Sequence, residues 1–151
     1  MYSKIAYLFL LISFNSFSQH WKSDSLLAKI ETTSKSEEKI KTLNELSRFY
    51  IYYSPKKVIK EANKALVLSK ESSNKKAEIT SLINIGFYYL RIDDYEKANE
   101  VLYEALIYSQ EINYHFGLAE ASYLQARVYN GLGQYDWSMK KLIKAEKHYD
   151  S

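Results

Sequence analysis

Cysteine is absent from the 151 residues, proline occurs once and glycine four times. Without cysteine there is no disulfide framework, no thiolate zinc site and no cysteine nucleophile. So few turn-forming residues exclude a many-stranded sandwich or barrel, whose hairpins depend on glycine and proline. An excess of one charge is lacking too. Twenty-one Lys and Arg against 18 Asp and Glu leave +3, too little for the concentrated basic face that nucleic acid binding requires. Long hydrophobic runs are also missing: beyond the first twenty residues every apolar stretch is broken by charge, and none approaches the ~20 residues needed to span a bilayer. What remains is the composition of a single globular domain with one surplus, 15 tyrosines.

The first eighteen residues read as a secretory signal peptide rather than as part of the fold. Lys4 supplies a positive start, Ile5 to Phe14 form an apolar run of ten, and a short polar stretch follows. Ser16 and Ser18 provide the small residues expected before a cleavage site, which places cleavage near Ser18. With no cysteine at that site, lipid attachment there is excluded. The expectation is an exported chain, periplasmic or secreted, beginning at Gln19.

From there the pattern is helical throughout. Asp24 is placed to cap a short helix over 25–33, giving a short N-terminal helix and linker over 19–35. Ser36 opens the next helix with Glu37 and Glu38 in its first turn, where they complement the helix dipole. Ile40, Leu43, Leu46, Phe49, Tyr50 and Tyr53 continue it at steps of three and four. Ser54-Pro55 reads as a stop followed by a start, since proline is favoured at the first position of a helix. Helices are then expected at about 55–73, 75–91, 95–112, 115–130 and 135–149, with Asp94 capping the one that begins at Tyr95.

These helices repeat. Tyr89, Tyr95, Leu102 and Ala105 recur forty residues later as Tyr129, Tyr135, Leu142 and Ala145. In the earlier direction Ala105 and Leu106 map to Ala65 and Leu66. Leu46, Ser47 and Tyr50 match Ile85, Gly86 and Tyr89 at thirty-nine, because the turn at Ser54-Pro55 is one residue shorter. Three helix pairs, 36–73, 75–112 and 115–149, therefore share one pattern.

The pattern of a small residue, two others and Tyr, a short turn, then Tyr, two others and a small residue, then Leu-x-x-Ala resembles the tetratricopeptide repeat. Its best unit here combines Gly86 and Tyr89 with Tyr95, Ala98, Leu102 and Ala105. The period of forty exceeds the usual value of about 34 and also falls in the HEAT and armadillo range, but those repeats do not account for the small-to-aromatic spacings. Gln125 stands where the motif wants an apolar residue, and Ser138 replaces its alanine. The resemblance implies an all-α, right-handed α-solenoid of antiparallel helix pairs. It places Tyr50, Tyr89, Tyr95, Tyr129 and Tyr135 at packing positions, which explains much of the tyrosine surplus.

No residue cluster argues for catalysis. His20, His115 and His148 show no metal-ligand spacing, no Gly-x-Ser-x-Gly elbow is present, and Gly131-Leu132-Gly133 lacks the strand a phosphate loop needs. No metal or cofactor is implied. Such solenoids instead offer a concave groove lined by the first helix of each pair. The resemblance places Lys41, Asn44 and Arg48 there from the first pair. It adds Thr80, Ile83, Phe87 and Arg91 from the second, and Glu120, Tyr123, Arg127 and Asn130 from the third. An arginine from each pair suggests a protein or peptide partner that is acidic or carries a C-terminal carboxylate, with Phe87 and Tyr123 as apolar anchors. A solvated face with ordinary arginines is the alternative.

The last helix carries Lys140, Lys141, Lys144 and Lys147, but also Trp137, Met139, Leu142 and Ile143, more apolar than one partner helix requires. Either this face binds something, a second copy included, or further sequence covers it. The functional expectation is a non-catalytic protein–protein interaction module. The other reading is the exported sensor region of a transmembrane signalling protein, a histidine kinase or transcriptional regulator, as in long-repeat members of the family that the chain resembles.

Overall fold

The computed structural model describes residues 21–150, so the signal-peptide expectation and His20 lie outside the described residues. Seven helices and no strand make up that part. They are α1 (21–32), α2 (Ser36–Tyr50), α3 (Pro55–Glu71), α4 (Lys75–Arg91), α5 (Tyr95–Glu111), α6 (His115–Gly131) and α7 (Tyr135–Tyr149). Two boundaries differ from expectation. Helix α1 is already under way at residue 21, so Asp24 lies within it and does not cap it. Helix α2 stops at Tyr50, because Pro55 forces an extended Ser54 before it and the chain needs residues 51–54 to turn.

The later turns are built alike, twenty residues apart. Ser73, Asp93, Asn113 and Gly133 all adopt left-handed conformations with φ of 54°, 59°, 52° and 71°. In each turn the next residue's N–H donates back to a carbonyl five residues earlier: Asn74 to Ser69, Asp94 to Tyr89, Tyr114 to Ser109 and Gln134 to Tyr129, at 2.8–3.0 Å. This is a Schellman closure, which satisfies carbonyls left open at a helix end. The same residues then serve as N-caps of the following helices. Asn74 and Asp94 do so with their side chains, accepting from the N–H groups of Ala77 and Lys97. One three-residue turn thus ends one helix and starts the next.

Each helix packs against its neighbour in sequence, and α2 touches α4 as α4 touches α6. The second helices of the pairs, α3, α5 and α7, do not touch one another. The array is therefore tighter on the α2–α4–α6 side, which makes that side concave and the α3–α5–α7 side convex. Helix α4 sits in the middle and buries ten of its seventeen residues, whereas α7 buries only Ser138 and Ala145. The main core runs from Leu46, Ile51 and Val58 through Ile79, Leu82 and Leu102 to Leu118, Leu124 and Val128. A satellite of Ile40, Leu43 and Ala65 packs under Ile30 of α1.

Both departures from the motif have internal roles. Gln125 is buried, donates to Asn99 Oδ1 at 3.0 Å and accepts from Lys141 Nζ at 2.7 Å. Burial, and then the Lys144 charge, holds the Lys141 ammonium below its ordinary range. Ser138 donates to the Ala126 carbonyl at 2.8 Å, tying α7 to α6. Tyr50 is buried, and Tyr89, Tyr95 and Tyr129 are partly so. Tyr135 is 69% exposed, contrary to its expected packing role, because no described helix lies beyond α7.

Candidate functional site

On the concave face the residues expected to contact a ligand divide into three groups. Asn44 is not a groove residue, which corrects the sequence-based assignment. It is 6% exposed and holds α2 to α4, with its Oδ1 accepting from Ser81 Oγ at 3.0 Å and from Asn84 Nδ2 at 3.2 Å. The next unit's first helix covers this position, so a polar side chain there is bonded internally. Ile83 is likewise buried.

The second group is on the face but engaged. Phe87 is only 8% exposed, because the Arg127 guanidinium lies 4.9 Å from its ring centre and Tyr52 meets it edge-on at 6.3 Å. A cation over an aromatic face is an attractive arrangement that leaves the guanidinium edges for other acceptors. Arg48 reaches across the face to Glu120, with Nη2 at 2.6 Å from Oε2. The two residues are 72 positions apart, and α4 lies between their helices. The other Glu120 oxygen accepts from the Tyr149 hydroxyl at 2.7 Å. One carboxylate thus joins the first unit, the third unit and the last helix. Burial foremost, then the hydrogen bond to Glu120, pushes the Tyr149 phenol up to about 12.

The third group is open to solvent: Arg91, Tyr123 and Asn130, with Lys41 at the other end of α2. Tyr52, a tyrosine outside the motif's packing positions and so expected to be free to face a groove or solvent, is 68% exposed in the turn after α2 and borders Phe87. Sequence reasoning missed Tyr149, which belongs to a second helix, has no counterpart in the motif and carried no signal beyond aromatic character.

His115 and His148 face each other with ring centres 5.8 Å apart. Burial, followed by the charges of Lys144, His115 and Lys147, lowers the His148 pKa. Among the described residues no group of three or more His, Cys, Asp or Glu is placed to hold a metal. No described helix is long and apolar enough to cross a membrane.

The array defines a class first: a helical-repeat protein whose units are antiparallel pairs. No protein-family model and no curated protein sequence matches the chain. Among solved structures it is similar to the crystal structure of the TPR domain of Arabidopsis FLU, with a TM-score of 0.67 and 18% identity. The match covers 77% of this chain and 98% of that one. The fold is thus a tetratricopeptide-like helical-repeat solenoid.

Proposed function

We propose that the protein is a non-catalytic interaction module that holds a segment of a protein partner on its concave face. The observation that carries this reading is the α2–α4–α6 surface itself. Tyr52 and Arg127 meet there around Phe87, and the exposure of Arg91, Tyr123 and Asn130 on α4 and α6 supports a surface of aromatic and hydrogen-bonding groups. A preformed surface loses little conformational freedom on binding, which favours capture of a flexible segment. A carboxylate-bearing peptide suits this face, because Arg91 is exposed at the end of α4 and Arg127 presents guanidinium edges beside Phe87. Arg48 joins such a site only by exchanging Glu120 for the ligand's carboxylate.

Selection from a random peptide display library tests this. Peptides enriched on the wild-type protein are expected to be acidic and to lose binding to Tyr123→Ala and Arg91→Glu, but not to Trp137→Ala. Peptides that depend on Trp137 and ignore Tyr123 and Arg91 would move the site to the end of the array. Export is part of the same proposal, and mass measurement of the mature chain is expected to give Gln19 as its first residue.

A second reading, the sensor region of a longer signalling protein, has one observation in its favour. Met139, Leu142 and Ile143 share one face of α7 and are 58%, 38% and 59% exposed, a face that a following helix would cover.

A further inference from the structure

The convex side carries a charge pattern that the concave site does not use. Helices α3 and α5 are equivalent at an offset of forty residues, and three outward lysines of α3 are replaced by glutamates in α5. Lys56, Lys60 and Lys64 correspond to Glu96, Glu100 and Glu104. Between them, Asn63 and Val67 correspond to Tyr103 and Ile107. Val67, Tyr103 and Ile107 are 55%, 60% and 40% exposed. The inversion joins nothing between the two helices: Lys64 pairs with Glu61 of its own helix, and Glu104 accepts from the Tyr108 hydroxyl of its own. Helices α3 and α5 do not touch, and among the described residues no ion pair joins them.

Beside this stripe, Ile30, Leu43, Val67 and Leu68 line an open cavity of about 630 Å³ rimmed by Lys39, Lys60 and Lys64. The corresponding place in the second unit is filled. Tyr108 occupies the position of Leu68, with the Lys75 ammonium 3.3 Å from its ring centre. The first unit lacks both the ring and the cation.

We infer that α3 of one copy docks on α5 of a second copy, forming a symmetric dimer through the convex face. A twofold axis parallel to the helices and midway between α3 and α5 lays each α3 on the partner copy's α5. Such a rotation preserves height along the helices, and equivalent residues of successive units share that height. Lys56, Lys60 and Lys64 then meet the second copy's Glu96, Glu100 and Glu104, and Val67 meets Ile107. Tyr103 of the second copy arrives beside Asn63, where its ring enters the cavity left by Leu68. Both contacts form twice, so the interface closes on itself. Pairing α5 with α7 keeps two opposite-charge pairs, Glu100 with Lys140 and Glu104 with Lys144, but sets Asp136 against Glu96 and Lys147 against Ile107, so it matches less completely. The concave face stays free, so this inference and the functional proposal stand or fall separately.

Sedimentation equilibrium tests it. The wild-type protein is expected to show a monomer–dimer equilibrium that weakens with salt, because the pairs are solvent-accessible. Lys56→Glu/Lys60→Glu makes both faces acidic, and Glu96→Lys/Glu100→Lys makes both basic. Each variant alone is expected to dimerise at least about tenfold more weakly than wild type. An equimolar mixture is expected to recover association, since each face then meets its opposite. Circular dichroism checks that both variants remain folded, and Trp137→Ala is expected to dimerise like wild type. A wild-type protein that stays monomeric at every concentration overturns the inference. So do variants that dimerise unchanged, a mixture that does not associate, or a dimer lost in Trp137→Ala.

Discussion

Gly86 and Ala126 occupy the same place in successive units, yet the leucines opposite them fare differently. Leu102 is fully buried, whereas Leu142 is 38% exposed. A Cβ at Gly86 would lie 2.6 Å from both Cγ and Cδ2 of Leu102, so the whole side chain has to move. Alanine gains about 1 kcal/mol of helix propensity, but displacing a packed leucine costs about 1–3 kcal/mol. Gly86→Ala is therefore expected to lower stability by about 1 kcal/mol net in chemical denaturation, and a more stable variant would show that Leu102 yields freely. The equivalence of Gly86 and Ala126 was legible from the forty-residue offset. The place of Asn44 was not. A polar residue at groove spacing reads as surface, and only the packing of α2 on α4 shows that Ser81 and Asn84 satisfy it inside.

At the scale of elements, the helices were legible from their periodicity and from punctuation at several ends: Ser54-Pro55 at the start of α3, Asp94 as a cap, and Gly133 in the last turn; the Asn74 cap was not read from the sequence. The ends were less so, since the left-handed residue is glycine only once in four turns. Asn74 closes α3 through its backbone and caps α4 through its side chain, which accepts from the Ala77 N–H at 3.1 Å. Asn74→Ala is expected to cost about 1 kcal/mol, read by thermal or denaturant unfolding. Asn74→Asp, which keeps the acceptor, is expected to restore most of it. The His115–His148 pair joins the start of α6 to the end of α7. A lowered His148 pKa means that the unfolded chain binds more protons between the folded and ordinary values. Stability therefore falls as pH drops through that window, and the His148 imidazole is expected to titrate below 6.5 by NMR.

For the molecule as a whole, local packing explains the fold, because each helix contacts only its sequence neighbours apart from the α2–α4 and α4–α6 seams, which themselves join adjacent units. The exception is the link from Arg48 through Glu120 to Tyr149, which spans the array and was invisible in the sequence. Pairs so distant share no periodicity. Its signature is alkaline. The Tyr149 phenol is raised from the ordinary 10 to about 12, so between those values the folded state holds a proton that the unfolded chain has released. Stability is expected to fall as pH rises through this window. The fall should be shallower in Tyr149→Phe, as read by denaturant midpoints across alkaline pH. An identical profile in the two proteins would show that the link is not maintained.

The concave face as partner site is tested most directly by photo-cross-linking. A photoreactive amino acid is placed in turn at Tyr123 on the concave face, Tyr103 on the convex face and Trp137 at the end of the array. The account predicts an adduct with a different protein from Tyr123, an adduct with a second copy of the chain from Tyr103, and neither from Trp137. A different protein captured at Trp137, with none at Tyr123, would contradict it.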